Sequence, residues 1–494
     1  MFCRPGKTLN KYILTLTAMV CAGGMFLCRL LPVSAATEIE ERLEAQRAMP
    51  VQSNEIENWP VGPVVGAESA ILIEAETGTV LYAKNIHQKE YPASTTKIMT
   101  TLLATELCEL DEIVNFSHDA VFDNPPGSSG IAMDVGQALT MEQCLNAILI
   151  RSANEVAFAV AEHITGTTDW TVFADIMNRR AAELGALNTH FNNPNGLPDE
   201  NHYTTAYDLA MMGRAFFDNE MLCQISLTRR MEIPASDRLP QTKLELNSMQ
   251  IIPGGTYAYE YIVGCKTGYT NAARSCLVSC AEKDGLRLIC VVLRDEAPYQ
   301  YTDTIALFEY GFSNFQKINI SQTDTKYNIE NTGLFYSGND ILGSSHSLLT
   351  LDREDYIVFP QTASFEDLES VVSYDTGDQN QAASITYTYH DVALGSVGVN
   401  FSSGENETCL FGMVLDIGTD IVKDDEGSHV IFINITTILA VLAAVAVAVF
   451  IGLLLHSGLK SYEFSGKPRK KRRAKNRWRS KRNRSESAFK DYDL

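Results

Sequence analysis

The sequence lacks the short patterns by which zinc proteins and metallopeptidases are usually identified. It contains no Cys-x-x-Cys pair and no His-Glu-x-x-His, and its nine histidines do not cluster along the chain. A zinc site and zinc-dependent peptide hydrolysis are therefore not expected. No metal and no cofactor is predicted for this chain.

Basic residues are also scarce. Lys and Arg total 40 against 61 Asp and Glu, which gives a net charge of -21. An acidic balance of this kind argues against a nucleic-acid-binding protein. The basic residues that are present concentrate in residues 467–484, a stretch without any acidic residue. The chain thus has two electrostatic parts, which are expected to lie in different surroundings.

Two long apolar runs provide membrane signals at the two ends of the chain. The first follows basic residues and ends at Val33-Ser34-Ala35, so residues 1–35 are predicted to be a secretory signal peptide, with an uncleaved anchor as the alternative. The second run, Ile435 to Leu455, would span about 30 Å as a helix, which matches the apolar thickness of a bilayer. It predicts one transmembrane helix over residues 431–456.

The basic tail, residues 457–494, gives the orientation of this predicted span. Positively charged segments stay on the cytoplasmic side of a membrane, so the acidic body is expected outside the cell and the tail inside. A basic segment beside a membrane also binds anionic membrane lipid. Nucleic-acid binding by the tail is the alternative interpretation, and it is not favoured. The predicted location is the cell membrane, with a single pass.

The exported part divides into three predicted segments. Residues 36–60 are acidic without a strong apolar period, which predicts a linker. Residues 61–315 begin with a two-strand pattern, continue with helical patterns and end with a three-strand meander. This order predicts an α+β domain with one antiparallel sheet formed from both ends of the domain. The strands are expected at Ser69–Glu74, Val80–Lys84, Ile262–Tyr269, Ser275–Ala281 and Leu286–Leu293.

A different pattern follows in residues 316–428. Thr, Ser, Tyr, Val and Ile alternate with polar residues there, most clearly in Ser384–Tyr389. Alternation of this kind predicts a small all-β domain. Eight cysteines lie outside the predicted signal peptide, and several of them occur in apolar runs. They are expected to be mostly buried, reduced thiols.

Ser94-Thr95-Thr96-Lys97 is the first pattern with chemical meaning. A helical run follows it, and residues at i and i+3 of a helix share one face. An amine beside a serine hydroxyl can act as its base when burial and positive charge lower the pKa of the amine. The pattern alone is weak, because it recurs at Ser457–Lys460 and Ser487–Lys490.

Two further motifs follow in the chain. Ser152-Ala153-Asn154 lies between two helical patterns, where the hydroxyl could relay a proton and the amide could hold a substrate. A second match, Ser337-Gly338-Asn339, is interpreted as a turn. Lys266-Thr267-Gly268 occurs once, on the first strand of the late meander. A cation and a hydroxyl there suit a substrate carboxylate, and glycine permits close approach of a substrate backbone.

These motifs are individually ambiguous, but their order is specific. The chain resembles the serine-type D-alanyl-D-alanine carboxypeptidases, the low-molecular-mass penicillin-binding proteins. The resemblance covers about Val64 to Asn314 and implies the penicillin-binding/β-lactamase-like transpeptidase fold. Two departures are an alanine at position 153, where the family commonly has glycine, and a full membrane span. The resemblance rests on Tyr91–Lys97, Asn193–Leu197, His202–Asp208 and Lys266–Thr270.

The resemblance implies a two-step acyl transfer on peptidoglycan stem peptides, with β-lactams acting as substrate mimics. Ser94 is implied as the nucleophile, Lys97 as its base and Ser152 as a proton relay. The implied substrate-binding residues are Asn154, Lys266, Thr267, Gly268 and Tyr269, with the N–H groups of Ser94 and Tyr269 as the oxyanion hole. His202 and Asp208 are expected to have structural roles, and Cys265 is expected to pack in the core.

The three motifs leave two alternative functions open. A class A β-lactamase shares the three motifs and also needs a glutamate for deacylation. Residues Glu183 to Asn188 resemble such a loop, but the spacing is off by one residue. The second alternative is a catalytically inactive scaffold that binds the cell wall, for which the β-rich domain and the anchor would serve equally well.

Overall fold

The computed structural model describes residues 38–324, 326–327, 349–376 and 381–401. The predicted signal peptide, transmembrane helix and basic tail lie outside these residues. Within the described ranges, no helix combines the length and the apolar character that crossing a membrane requires.

The helices and strands are numbered in chain order. The helices are α1 (38–47), α2 (Lys97–Leu107), α3 (His118–Phe122), α4 (Met141–Arg151), α5 (Asn154–Thr165), α6 (Trp170–Glu183), α7 (Ala206–Asp218), α8 (Glu220–Leu227), α9 (Tyr299–Asn314) and α10 (Ile320–Thr323). The strands are β1 (Ser69–Glu74), β2 (Val80–Lys84), β3 (Ile113–Asn115), β4 (Ala138–Thr140), β5 (Arg230–Ile233), β6 (Lys243–Leu246), β7 (Ile262–Thr270), β8 (Arg274–Lys283), β9 (Leu286–Asp295), β10 (Phe315–Asn319), β11 (Leu349–Leu351), β12 (Tyr356–Pro360), β13 (Glu369–Ser373), β14 (Gln381–Tyr389) and β15 (Val392–Phe401).

The central sheet has five antiparallel strands in the order β2-β1-β9-β8-β7. Both of its faces are covered, so its strands are nearly continuous apolar runs. Ile71 and Ile73 of β1 pack into one core and Leu72 packs into the other, as the alternation of side chains along a strand requires. The predicted α+β sheet is thus confirmed, and β7, which carries Lys266-Thr267-Gly268, lies at its edge.

The first two motifs lie at the ends of helices α2 and α4. α2 is buried over most of its length, including its polar residues Lys97, Thr100 and Thr101. α4 begins with a capping box, in which Thr140 and Gln143 bind each other's backbone N–H groups. It ends at Ser152, whose φ of 55° turns the chain sharply into α5. A short corner between two packed helices therefore holds Ser152 and Asn154.

Residues 38–60 differ from the predicted linker. They contain α1 and a 3₁₀ turn, and they pack against the central sheet. The Trp59 indole N–H donates to the Leu81 carbonyl at 2.9 Å, and Lys84 Nζ donates to the Gln46 carbonyl at 2.8 Å. The sequence did not indicate that residues 38–60 pack on the sheet, because their apolar residues follow no strong period and their contacts are with distant parts of the chain.

The β-rich segment after α9 shares a core with the central sheet. Strands β11, β15, β14 and β13 form one sheet, and β10 pairs with β12. Tyr356 Oη donates to Glu74 at 2.8 Å, and Thr79 Oγ1 donates to the Leu394 carbonyl at 2.7 Å. The alternating run that predicted a strand lies in β14. All described residues fall in one compact unit, and the domain boundary at 315/316 stays a prediction.

The seven cysteines within the described residues are unpaired, and six of them are buried. Cys265 packs into the core formed with α9, as expected. The β5–β6 hairpin was not predicted. Its strands are four residues each. β5 alternates exposed and buried positions and β6 alternates half-exposed and exposed positions, which is too short a pattern to stand out in the sequence.

Candidate active site

Ser94 lies in a tight turn immediately before α2. Residues Ala93–Thr96 form a 3₁₀ turn, and Thr95 Oγ1 donates to the Pro92 carbonyl at 2.7 Å. Ala93 has a φ of 48°, a left-handed conformation that costs a non-glycine residue about 1–2 kcal/mol. The surrounding packing therefore holds this turn in place. Ser94 is partly exposed whereas Lys97 is fully buried, so a substrate can reach the hydroxyl but water is excluded from the amine.

Lys97 Nζ has three polar partners. It lies 3.0 Å from Ser94 Oγ, 2.7 Å from Asn154 Oδ1 and 2.7 Å from the Asn195 carbonyl oxygen. A neutral amine has two hydrogens and one lone pair. The Asn154 and Asn195 oxygens can only accept, so together they take both hydrogens of a neutral amine. The lone pair is then left for Ser94 Oγ–H, which is the arrangement that a general base requires.

Burial and charge both favour the neutral form of this amine. Burial is the main cause that holds the pKa of Lys97 well below its usual value, and the charge of Lys266 lowers that pKa further. Glu155 acts in the opposite direction. Its Oε1 accepts the Ile131 N–H at 2.7 Å, so part of its charge is compensated locally. The surroundings of Lys97 therefore favour the neutral amine, the form that could accept a proton.

Ser152 and Lys266 form a second pair. Lys266 Nζ donates to Ser152 Oγ at 3.1 Å and to the Thr267 carbonyl at 2.9 Å. Burial lowers the pKa of Lys266 to about 8, so this lysine still carries its charge at neutral pH. The pair places a hydroxyl beside a cation, where the hydroxyl can pass a proton without becoming a stable anion.

The edge strand β7 packs directly on the Ser94 turn. A Cβ added at Gly268 would lie 2.9 Å from the Pro92 carbonyl and 3.0 Å from Ser94 N, so glycine is required for this approach. Thr267 is partly exposed, and the Tyr269 side chain is 56% exposed. The Thr267 and Tyr269 hydroxyls form no hydrogen bond with Ser94 or Lys97. Within the described residues, β7 pairs with no strand other than β8, and Ser226 Oγ accepts the Cys265 N–H at 3.1 Å. A sheet edge without a partner strand can bind an extended peptide.

The loop of residues 192–202 completes the site and was not identified as functional from the sequence. Besides the Asn195 carbonyl, its Pro194 carbonyl accepts a hydrogen bond from Thr100 Oγ1. Gly196 has a φ of 86°, and a Cβ there would lie 1.8 Å from the Ala93 carbonyl oxygen. The Asn, Pro and Gly residues of this segment indicate a loop. They do not indicate that the loop packs against the Ser94 turn.

His202 connects this loop to the Ser94 turn. Its Nδ1 accepts the Asn192 N–H at 3.0 Å, so the ring hydrogen of a neutral His202 lies on Nε2 and is donated to Thr96 Oγ1 at 2.8 Å. Asp208 is also structural: it accepts hydrogen bonds from the Asn188 N–H and from Thr189 Oγ1. Both residues thus have contacts that support the expected structural roles.

We expect His202 to make the folded protein sensitive to acid. Burial lowers the pKa of His202 to about 4 from its usual 6.5. Between these two values the unfolded chain binds a proton that the folded chain does not, so stability falls by up to about 3 kcal/mol as the pH drops from 6.5 to 4. Urea midpoints at several pH values, compared between the parent and His202→Asn, measure this. Parallel pH curves for the two proteins would show that His202 has no such role.

Glu183, the residue considered for a β-lactamase, lies at the end of α6. Its carboxylate is 54% exposed and pairs with Arg180 at 3.1 Å. The carboxylate that influences the charge on Lys97 is instead that of Glu155. The described structure thus gives no support to Glu183 as a deacylating base.

The amino-acid sequence of this chain is similar to those of known proteins. Residues 57–297 match the family model Peptidase S11, D-alanyl-D-alanine carboxypeptidase. The chain is 34% identical over 257 residues to D-alanyl-D-alanine carboxypeptidase DacF of Bacillus subtilis, covering 51% of this chain and 63% of that protein. It is 30% identical over 260 residues to D-alanyl-D-alanine carboxypeptidase DacB2 of Mycobacterium tuberculosis, covering 51% of this chain and 84% of that protein.

The fold has matches among solved structures. Penicillin binding protein 5 of Haemophilus influenzae superimposes with a TM-score of 0.54 and 22% identity, covering 70% of this chain and 98% of that one. This likeness supports the fold expected from the sequence. The chain matches the family model over residues 57–297 and covers 84% of the M. tuberculosis relative at 30% identity, so it belongs to the Peptidase S11 family of D-alanyl-D-alanine carboxypeptidases.

Proposed function

We propose that this protein is a membrane-anchored serine D,D-carboxypeptidase that removes the terminal D-Ala from peptidoglycan stem peptides. The observation that carries the proposal is the set of three partners around Lys97 Nζ, which leaves its lone pair for Ser94 Oγ–H. The names of the relatives give the same activity. The proposed alternatives, a β-lactamase and an inactive scaffold, are tested by the experiments below.

In the proposed first step, Ser94 Oγ attacks the carbonyl carbon between the two D-Ala residues. Its proton moves to Lys97 Nζ, and a C–O bond forms to give a tetrahedral oxyanion. The N–H groups of Ser94 and Tyr269 are proposed to stabilise this oxyanion. Loss of one such donor typically slows a reaction about 10²–10³-fold. Gly268 supports the arrangement, because it lets β7 lie against the Ser94 turn.

Expulsion of the leaving group needs a proton at the D-Ala nitrogen. Ser152 Oγ is proposed to relay that proton from Lys97 as the C–N bond breaks, and its contact with Lys266 keeps positive charge nearby. The products of this step are free D-Ala and an acyl-enzyme ester on Ser94. Water then hydrolyses the ester, and a β-lactam would form a longer-lived ester at the same serine.

Substrate binding is proposed at the edge of β7. An extended peptide can add to an exposed sheet edge through backbone hydrogen bonds. Asn154 is proposed to hold the substrate amide, and Lys266 with Thr267 to hold the terminal carboxylate. The charge on Lys266, retained near neutral pH, favours substrates that end in a free carboxylate.

The proposed location is the outer face of the cell membrane. This proposal rests on the sequence alone: the apolar run Ile435 to Leu455, the basic residues that follow it and the signal-peptide pattern over 1–35. The basic tail is proposed to bind anionic lipid on the cytoplasmic side.

We expect the acylation rate to depend on pH through the two lysines. The rate should rise as Lys97 loses its proton and fall again near pH 8, where Lys266 loses its charge. In Lys266→Arg the falling limb should move to higher pH, because arginine remains charged. The second-order rate of β-lactam acylation between pH 5 and 10 measures both limbs. A falling limb that is unchanged in Lys266→Arg would assign it to another group.

The activity is tested on the purified full-length chain with a peptide that ends in D-Ala-D-Ala. Release of one D-Ala per peptide by the parent, and none by Ser94→Ala, is the expected result. A chromogenic cephalosporin is supplied in a parallel assay. Rapid turnover of the cephalosporin without D-Ala release would favour a β-lactamase, and neither reaction in a folded protein would favour a scaffold.

A further inference from the structure

A cluster of three possible metal ligands lies away from the site described above. Cys108 directly follows α2, Glu112 lies in the turn before β3, and His163 lies near the end of α5. The thiol sulfur, one carboxylate oxygen and one imidazole nitrogen all lie within 4.8 Å of one another. α2 is about 16 Å long at 1.5 Å per residue, and Lys97 is at its other end, so the cluster is separate from the active site.

The side chains of the cluster are held in position before any ligand arrives. Glu112 Oε1 accepts the Glu109 N–H at 2.7 Å, and Glu112 Oε2 lies 2.7 Å from His163 Nε2. The His163 side chain is 22% exposed and that of Glu112 is 39% exposed, so an ion can reach them from solvent. Glu109 and Asp111, which are close to Glu112 in the chain, are exposed and add negative charge near the cluster.

We propose that Cys108, Glu112 and His163 bind a divalent cation of the Zn²⁺ class. One sulfur, one nitrogen and one oxygen donor are a set that suits Zn²⁺, whereas Mg²⁺ and Ca²⁺ prefer oxygen donors alone. Three protein ligands leave a fourth position for water. The sequence patterns that usually indicate zinc do not find this set, because its ligands come from separate elements.

Binding has a simple proton balance. The Cys108 thiol proton goes to solvent, and the cation takes its place on the sulfur. In a neutral His163 the hydrogen between Nε2 and Glu112 also goes to solvent, the cation takes its place on Nε2, and Nδ1 takes up one proton from solvent, so one proton is released in total. The imidazole stays neutral, with its hydrogen on Nδ1. A thiolate and a carboxylate then neutralise the two charges of the ion. The bound ion would join the ends of α2 and α5, the helices that begin at Lys97 and Asn154.

The test uses Co²⁺ as a spectroscopic substitute for Zn²⁺, on the full-length chain in a phosphine reductant. Cobalt bound by a thiolate gives a charge-transfer absorption that cobalt bound by nitrogen and oxygen alone does not give. We expect one Co²⁺ per chain with this absorption, displaced by Zn²⁺. We expect Cys108→Ala to lose the absorption and His163→Gln to bind at least tenfold more weakly.

Cys144→Ala is the matched control, because Cys144 is a buried cysteine outside the cluster. It should bind Co²⁺ as the parent does. Thermal unfolding without metal shows whether each variant is folded, and Zn²⁺ should raise the Tm of the parent and of Cys144→Ala but not of Cys108→Ala. Retention of the absorption in Cys108→Ala, unchanged affinity in His163→Gln, or no absorption in a folded parent would overturn the proposal.

Discussion

Replacement of Lys97 by methionine should slow acylation by a β-lactam at least about 10³-fold. Methionine has nearly the same length and tolerates burial, but it cannot accept the Ser94 proton. General bases typically contribute 10²–10⁴-fold to a rate. The loss should lie in the upper part of this range, because Lys97 is fully buried and its lone pair has a single partner, Ser94. The second-order acylation rate, followed by quenched-flow mass spectrometry, measures the effect.

Lys84→Met is the matched control for this variant. Lys84 is also almost fully buried, and its Nζ donates to the Gln46 and Val65 carbonyls at 2.8 and 2.9 Å. Its removal should reduce stability but leave the acylation rate of the folded protein within about twofold. If Lys97→Met were acylated at the parental rate, Lys97 could not be the base. If Lys84→Met lost acylation equally, the effect of Lys97→Met would be attributed to lost packing.

Replacement of Gly196 by alanine should have the second-largest effect. The new Cβ would lie 1.8 Å from the Ala93 carbonyl oxygen, a backbone atom that cannot rotate away. The loop must therefore shift, which removes the Asn195 carbonyl from Lys97 Nζ and disturbs the Ser94 turn. Small displacements of a catalytic group can cost about 10²-fold in rate, so we expect acylation to fall at least that far. The free energy of unfolding should also fall.

Gly185→Ala is the control for Gly196→Ala. It has the cost of a left-handed backbone conformation without a clash between the new Cβ and another atom. Gly185 has a φ of 84°, nearly that of Gly196, but no atom lies within 4 Å of a Cβ added there. The Gly185 variant should lose about 1–2 kcal/mol of stability and keep the parental acylation rate. Equal acylation by Gly185→Ala and Gly196→Ala would show that contact between the loop and the Ser94 turn is not needed.

Much of the catalytic region could be predicted from local patterns. The strands β1 and β2 have the predicted bounds, because their apolar runs are interrupted by a short glycine-containing turn. Ser94 and Lys97 share a hydrogen bond, as do Ser152 and Lys266. The first pair follows from the i, i+3 spacing of its motif. The second pair joins residues that are 114 positions apart, and only the resemblance to the family implied that both belong to one site.

The missed features depend on contacts between distant segments. The Asn195 group that binds Lys97 is a backbone carbonyl, and any residue type carries one. Trp59 is a single aromatic residue in an acidic stretch, and residues 38–60 pack through contacts with distant residues, such as its hydrogen bond to Leu81. Local composition contains little information on either contact.

The most direct test of the central claim is the intact mass of the full-length chain after mixing with penicillin. We expect a single, long-lived adduct of one penicillin per parent chain, located on the peptide that contains Ser94, and no adduct on Ser94→Ala. An adduct of equal yield on Ser94→Ala, or a folded parent that forms none, would contradict the assignment of Ser94 as an acylated nucleophile.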